Sequence, residues 1–138
     1  MKESMLDMLR EDMACDGLLE CVHGLKDLDR QCFRTLVDAV EPTTVDELAE
    51  QVDRERSTVY RSLQRLAKAG FVHKEQINYE NGGYYHVFSP ADADELADEF
   101  QRVLNDWYAM MGQLIGEFRE EYGAQSTHEQ STAADSEA

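Results

Sequence analysis

Two groups of residues in this chain have types and spacings that could do chemistry. The first is basic. Arg54, Arg56, Arg61, Arg65, Lys68 and Lys74 fall within 21 residues that hold one acid, Glu55. Ser57, Thr58, Tyr60 and Gln64 lie among them. Guanidinium and ammonium groups neutralise phosphates, and arginine pairs with guanine edges. The second group is Cys15, Cys21, His23 and Cys32, with spacing C-x5-C-x-H-x8-C. Four soft ligands could hold zinc, although this is not a standard zinc spacing. A thiol beside an imidazole could also serve redox chemistry. Cys21, next to His23, is the better redox candidate, with Cys15 as a disulfide partner. The third reading is that these cysteines only pack as small hydrophobes.

The background makes the basic group stand out. The chain has 138 residues and a formal net charge of −16. A positive island on such a chain points to a polyanion. Only four of its 13 bases are lysine, and its acids are dispersed. That composition resembles proteins of salt-accumulating haloarchaea. The start, MKESMLDMLREDM, is too acidic for a signal peptide. With an odd cysteine count it predicts reduced thiols in a cytoplasm. No run of 18 apolar residues is present to span a membrane. No Gly-rich phosphate loop, H-E-x-x-H or G-x-S-x-G is present, so no enzyme and no cofactor is expected.

The elements that would position the basic group follow from periodicity and caps. Thr44-x-x-Glu47 forms a capping box for a helix whose Val45, Leu48 and Val52 share a face. Ser57 is the expected N-cap of a second helix, with Arg54 to Arg56 as possible first-turn residues. Its apolar stripe is Val59, Leu63, Leu66 and Ala67. Arg54, Arg56, Ser57, Thr58, Arg61 and Arg65 lie off that stripe. Gly70 closes the helix. Two helices around a tight turn, the second basic, is the helix-turn-helix pattern.

Around this pair, residues 5–13 predict a short helix that Gly17 breaks. Leu18, Leu19, Cys21, Val22 and Leu25 form an apolar patch. A helix over 27–40 carries Leu28, Cys32, Leu36 and Val40, and Pro42 stops it. Strands over 71–79 and 84–88 flank Glu80-Asn81-Gly82-Gly83, a hairpin. Ser89 is the expected N-cap and Pro90 the first position of a last helix running to Tyr122, ended by Gly123. Leu96, Phe100, Val103, Trp107, Met110, Leu114 and Phe118 recur at near-heptad spacing. Such a face on a helix of roughly 30 residues, about 45 Å long, is expected to pair with a second copy. Residues 124–138 lack large apolar groups and predict a disordered tail. The fold class expected is mainly α with a β-hairpin wing, a winged helix-turn-helix plus a long C-terminal dimerisation helix. Its segments are an extension over 1–23, the DNA-binding domain over 24–90, the dimerisation helix over 91–123 and the tail.

From Gly24 to Pro90 the chain resembles the winged-helix domain of TrmB-family regulators, themselves similar to MarR-type regulators. The carriers are Gly24-Leu25, the run Asp46-Glu47-Leu48-Ala49-Glu50, Arg56-Ser57-Thr58-Val59-Tyr60, and Leu66 to Val72. Two features depart from the pattern. Gln51-Val52-Asp53 fills a turn where a small residue is common, and no sugar-binding C-terminal domain follows, so sugar sensing is not carried over. The compact form resembles haloarchaeal members. The resemblance implies a homodimer on double-stranded DNA. The rival is a winged-helix module that binds protein; exposed arginines at the start of the second helix favour DNA.

Overall fold

The computed structural model describes residues 4–10, 14–15 and 17–134, with side chains described as far as residue 123 except for Arg10. Its elements are α1 (Met5–Arg10), α2 (Gly17–His23), α3 (Asp27–Asp38), α4 (Val45–Val52), α5 (Arg56–Lys68), β1 (Val72–Asn78), β2 (Tyr84–Pro90) and α6 (Ala93–Ala134). The chain divides into two compact units, residues 1–100 and 101–138.

In the first unit, α3, α4 and α5 pack around one core with the hairpin against them. Leu36, Leu48, Val59, Leu63, Leu66 and Phe71 are its largest fully buried apolar side chains. Each such residue removed from water contributes about 1.5–3 kcal/mol. The Thr44 box forms as its spacing requires. Thr44 Oγ1 accepts from the Glu47 N–H at 3.1 Å, and Glu47 Oε1 accepts from the Thr44 N–H at 3.0 Å. Asp53 ends α4 in the left-handed conformation, φ 59°. It supplies at some steric cost the geometry that glycine often supplies in such turns. Gly70, φ 86°, closes α5. The Phe71 N–H donates to Leu66 O at 2.8 Å and the Gly70 N–H to Ala67 O at 3.0 Å. This Schellman arrangement turns the chain straight into β1 and seats buried Phe71 beside Leu66. β1 and β2 pair antiparallel from Val72↔Pro90 to Asn78↔Tyr84. Thr43 extends the hairpin by an isolated bridge to Phe88.

Several elements differ from the sequence reading. Gly17 opens α2 instead of merely breaking a helix, and Met13 lies outside the described residues. Glu55, not Ser57, occupies the N-cap of α5, without a side-chain cap bond. Helix α3 ends at Asp38, and Ala39 turns extended (ψ 146°). Val40 is therefore 99% exposed, not on the core stripe. Ser89 and Pro90 do not start the last helix; they finish β2 opposite His73 and Val72. Asp92 takes the capping role, its Oδ2 accepting the Glu95 N–H at 3.1 Å. The ladder decides this, because a bonded strand end satisfies more backbone groups than a lone cap.

Helix α6 also passes Gly123 and runs to Ala134. Gly123 does not adopt a positive φ, and the Ala and Gln residues beyond it are adequate helix formers. Leu96 and Phe100, expected on a dimer seam, belong to the first unit's own core. Leu96 is buried, and Phe100 meets the rings of Phe71 and His23 edge-on at 5.9 and 5.7 Å. The boundary between the two compact units falls after Phe100. In the second unit Val103, Trp107, Met110, Leu114 and Phe118 are exposed, as are Leu104, Tyr108, Ile115 and Tyr122.

Candidate nucleic-acid interface

Helix α5 has two faces set by its sequence. Val59, Ser62, Leu63 and Leu66 are buried. Ser57, Tyr60, Arg61, Gln64 and Lys68 are exposed and recur at the three- and four-residue steps that align side chains on one helix face. Thr58 is half-buried at the edge between them, and Arg54 is exposed in the turn before α5. Lys74 is exposed on β1. Apolar anchoring on one side therefore leaves a polar, cationic face on the other.

The arginines are not equivalent. Arg56, the first residue of α5, donates from Nε to Asp46 Oδ1 of α4 at 2.7 Å, with both side chains well exposed. Arg61 makes no ion pair among the described residues. Arg65 is engaged inward. Its Nε lies 3.1 Å from Asp29 Oδ2 and its Nη2 2.8 Å from Asp29 Oδ1. Arg65 is still about half exposed and off the buried stripe, but this engagement leaves it less free to meet a phosphate.

Asp29 was not singled out in the sequence, yet it joins three segments. Its carboxylate is fully buried. It also accepts from Ser62 Oγ at 2.5 Å and from the Lys26 N–H at 3.1 Å. Burial alone raises its pKa. The hydrogen bonds from Arg65, Ser62 and Lys26, with the Arg65 charge, outweigh that and hold the carboxyl below its ordinary value. The Arg65 guanidinium, hydrogen-bonded to Asp29, is in turn held charged. The signal was present: Asp29 stands in step with Cys32 and Leu36 on the apolar stripe of α3. A carboxylate in such a position requires a partner.

The cysteines separate. Cys15 and Cys21 are exposed, and Cys32 is buried. Burial pushes the Cys32 thiol up, the Ser62 hydroxyl counteracts this, and the Asp29 charge adds to the rise. No group of three or more Cys, His, Asp or Glu placed to hold a metal occurs among the described residues. The zinc alternative built on Cys15, Cys21, His23 and Cys32 is therefore not supported. His23 packs against Phe71 instead, ring centroids 5.1 Å apart. A thiol reagent should modify Cys15 and Cys21 in the native chain and reach Cys32 only in denaturant. Mass spectrometry of the labelled chain checks this; rapid native labelling of Cys32 would contradict the buried site.

A family profile described as the sugar-specific transcriptional regulator TrmB matches residues 19–114. The chain belongs to the TrmB family. Among its relatives are two uncharacterized proteins of Methanocaldococcus jannaschii. One is 31% identical over 102 residues, 74% of this chain and 76% of the relative. The other is 29% identical over 120 residues, 87% of this chain and 98% of the relative. The fold is shared with a possible transcriptional regulator from Methanosarcina mazei Go1, TM-score 0.68 at 21% identity, over 78% of this chain and 94% of that one. It is shared also with a protein from Sulfolobus tokodaii, TM-score 0.58 at 18% identity, over 69% and 92%. This TrmB-family chain is a transcriptional regulator of the winged-helix type, not an enzyme. In that fold α4 and α5 are the helix-turn-helix and β1–β2 the wing. No helix among the described residues is long and apolar enough to cross a membrane.

Proposed function

We propose that this TrmB-family chain binds specific sequences of double-stranded DNA as a homodimer, in the cytoplasm, through the exposed face of α5. The observation that carries the reading is that face itself: Ser57, Tyr60, Arg61, Gln64 and Lys68 stand outward over buried Val59, Leu63 and Leu66. The rest of the chain is strongly acidic, so the cationic face selects where a duplex can approach. The N-terminal half of α5 enters the major groove. There Arg56, Ser57, Thr58 and Arg61 meet bases, while Arg54, Lys68 and Lys74 meet phosphates. Arg65 contributes mainly by fixing α5 to α3. The exposed apolar face of α6 from Val103 to Phe118 supports the dimer. Dispersed acids and few lysines support a salt-adapted source. If an oxidant is the signal, exposed Cys21 and Cys15 are the thiols it reaches first.

The test is selection of bound sites from a random duplex pool, followed by affinities of variants on the selected duplex. Arg61→Ala should weaken that duplex by about 1–3 kcal/mol, the range for a lost arginine–guanine pair, and relax preference at one base pair. Lys68→Ala should weaken all duplexes alike and lower the salt dependence by about one unit of slope. A wild-type chain that enriches no sequence removes the proposal.

A further inference from the structure

We infer that Asp46 is a positioning residue for sequence readout: it holds the Arg56 guanidinium by its Nε so that the Nη edge is presented to a guanine. The inference rests on the DNA-binding reading above and adds a second helix to it, since Asp46 belongs to α4.

The three arginines of α5 carry the argument by contrast. Arg65 commits both Nε and Nη2 to buried Asp29. Arg61 has no carboxylate partner among the described residues. Arg56 is intermediate, with the single bond from Nε to Asp46 Oδ1 at 2.7 Å. Among the described residues neither Nη of Arg56 makes a hydrogen bond within the chain. A guanidinium is planar with five donors in fixed directions. Anchoring Nε favours one orientation of the plane and leaves the two Nη groups as a fork. Guanine offers O6 and N7 to such a fork in the major groove. Arg56 is the first residue of α5, at the end that enters the groove in a helix-turn-helix.

Asp46 also serves as a first-turn acid of α4, but the pair itself has little structural use. With side chains 63% and 73% exposed, it adds little to folding. Placed at the readout face, it does two things. It orders a flexible side chain before DNA arrives, so less rotamer freedom is lost on binding. It also sets a negative charge beside Arg56, which disfavours loose contact with a phosphate. Both effects raise discrimination more than general affinity.

Affinities on the selected duplex, and on duplexes with each of its guanines replaced in turn, test this for wild type, Asp46→Ala, Arg56→Ala and the double variant. Arg56→Ala should lose about 5–100-fold and level the preference at one base pair of each half-site. Asp46→Ala should lose about 3–10-fold, relax the preference at that same pair and lower the thermal unfolding midpoint by no more than the few degrees that a lost first-turn acid costs. The double variant should bind no worse than Arg56→Ala. The inference is overturned if Asp46→Ala, which has no acceptor for the Arg56 Nε–H, binds the selected duplex as tightly as wild type or more tightly, which would make Asp46 a bystander or a competitor of DNA. It is overturned also if the relaxed pair differs from that of Arg56→Ala. Either result leaves the DNA-binding reading standing provided wild type still selects a sequence. A wild type that selects none fails that reading first.

Discussion

Arg65→Met is expected to destabilise the first unit by about 2–4 kcal/mol at neutral pH. Breaking a buried ion pair from one side costs roughly 3–5 kcal/mol, and the range is lowered here because the Arg65 side chain is 51% exposed and partly screened. The loss falls on Asp29. Its fully buried carboxylate would keep only the Ser62 hydroxyl and the Lys26 N–H as donors. The converse change, Asp29→Asn, leaves Arg65 able to meet water and should cost less. Replacing both, as Asp29→Leu with Arg65→Met, should recover part of the loss, since a buried pair is often no better than apolar packing.

The pH dependence has opposite signs in the two proteins. In wild type the folded Asp29 lies below its ordinary value. Its stabilisation is complete above the unfolded carboxyl pKa, about 4, and is lost as pH falls through the depressed folded value. In Arg65→Met, burial without the counter-charge would raise that pKa, so stability would fall as pH rises through it. The difference between the two proteins is therefore largest near pH 7 and narrows towards acid. Urea unfolding at about pH 7 and pH 4 measures both. A deficit below about 0.5 kcal/mol at neutral pH, the size of an ordinary surface substitution, would show that the network does not hold α5 to α3.

That network also marks where the sequence stops being legible. The helix-turn-helix could be read because its evidence is local: the Thr44 box, the stripes of Leu48 and Leu63, and Gly70 past the end of α5. Asp29 and its partners Ser62 and Arg65 are 33 and 36 residues apart, so no short window contains them. Acids are so frequent in this chain that one more carried no signal, although its place on an apolar stripe did. The first two positions of the α6 stripe are hard to place for a related reason. Periodicity says that Leu96 and Phe100 are covered but not by what, and they are covered by the chain's own core. The ends of elements were the weakest readings. At Ser89-Pro90 a cap signal and a strand compete, and the pairing with Val72 and His73 decides. Of the readout face, the residue types could be read, but the Arg56–Asp46 bond spans two helices and emerges only when they pack.

The proposed α6 dimer should be lost in Trp107→Asp, with at least about a hundredfold weaker self-association. Once Leu96 and Phe100 are assigned to the first unit, the face left on α6 begins at Val103. Val103, Trp107, Met110, Leu114 and Phe118 follow at steps of four, three, four and four, all exposed. Leu104, Tyr108 and Ile115 widen the face. So broad a run of large apolar side chains on one helix marks an interaction surface. A second copy is the simplest cover, because a two-fold axis lets the same patch meet itself. An aspartate at 107 would then be buried near its own symmetry mate with no cation to pair, which costs several kcal/mol. At about 1.4 kcal/mol per tenfold that gives the hundredfold or more. Asn105→Asp, on the opposite side of the helix, introduces the same charge and should leave assembly unchanged. Two linked readout helices should also address half-sites about one turn of DNA, roughly 34–36 Å, apart. Trp107→Asp should therefore bind a single half-site as wild type does and lose the added affinity of two. Light scattering over micromolar concentrations reads the assembly, and titration on one- and two-half-site duplexes reads its consequence. A wild-type chain that stays monomeric at tens of micromolar would leave the apolar face of α6 without this explanation.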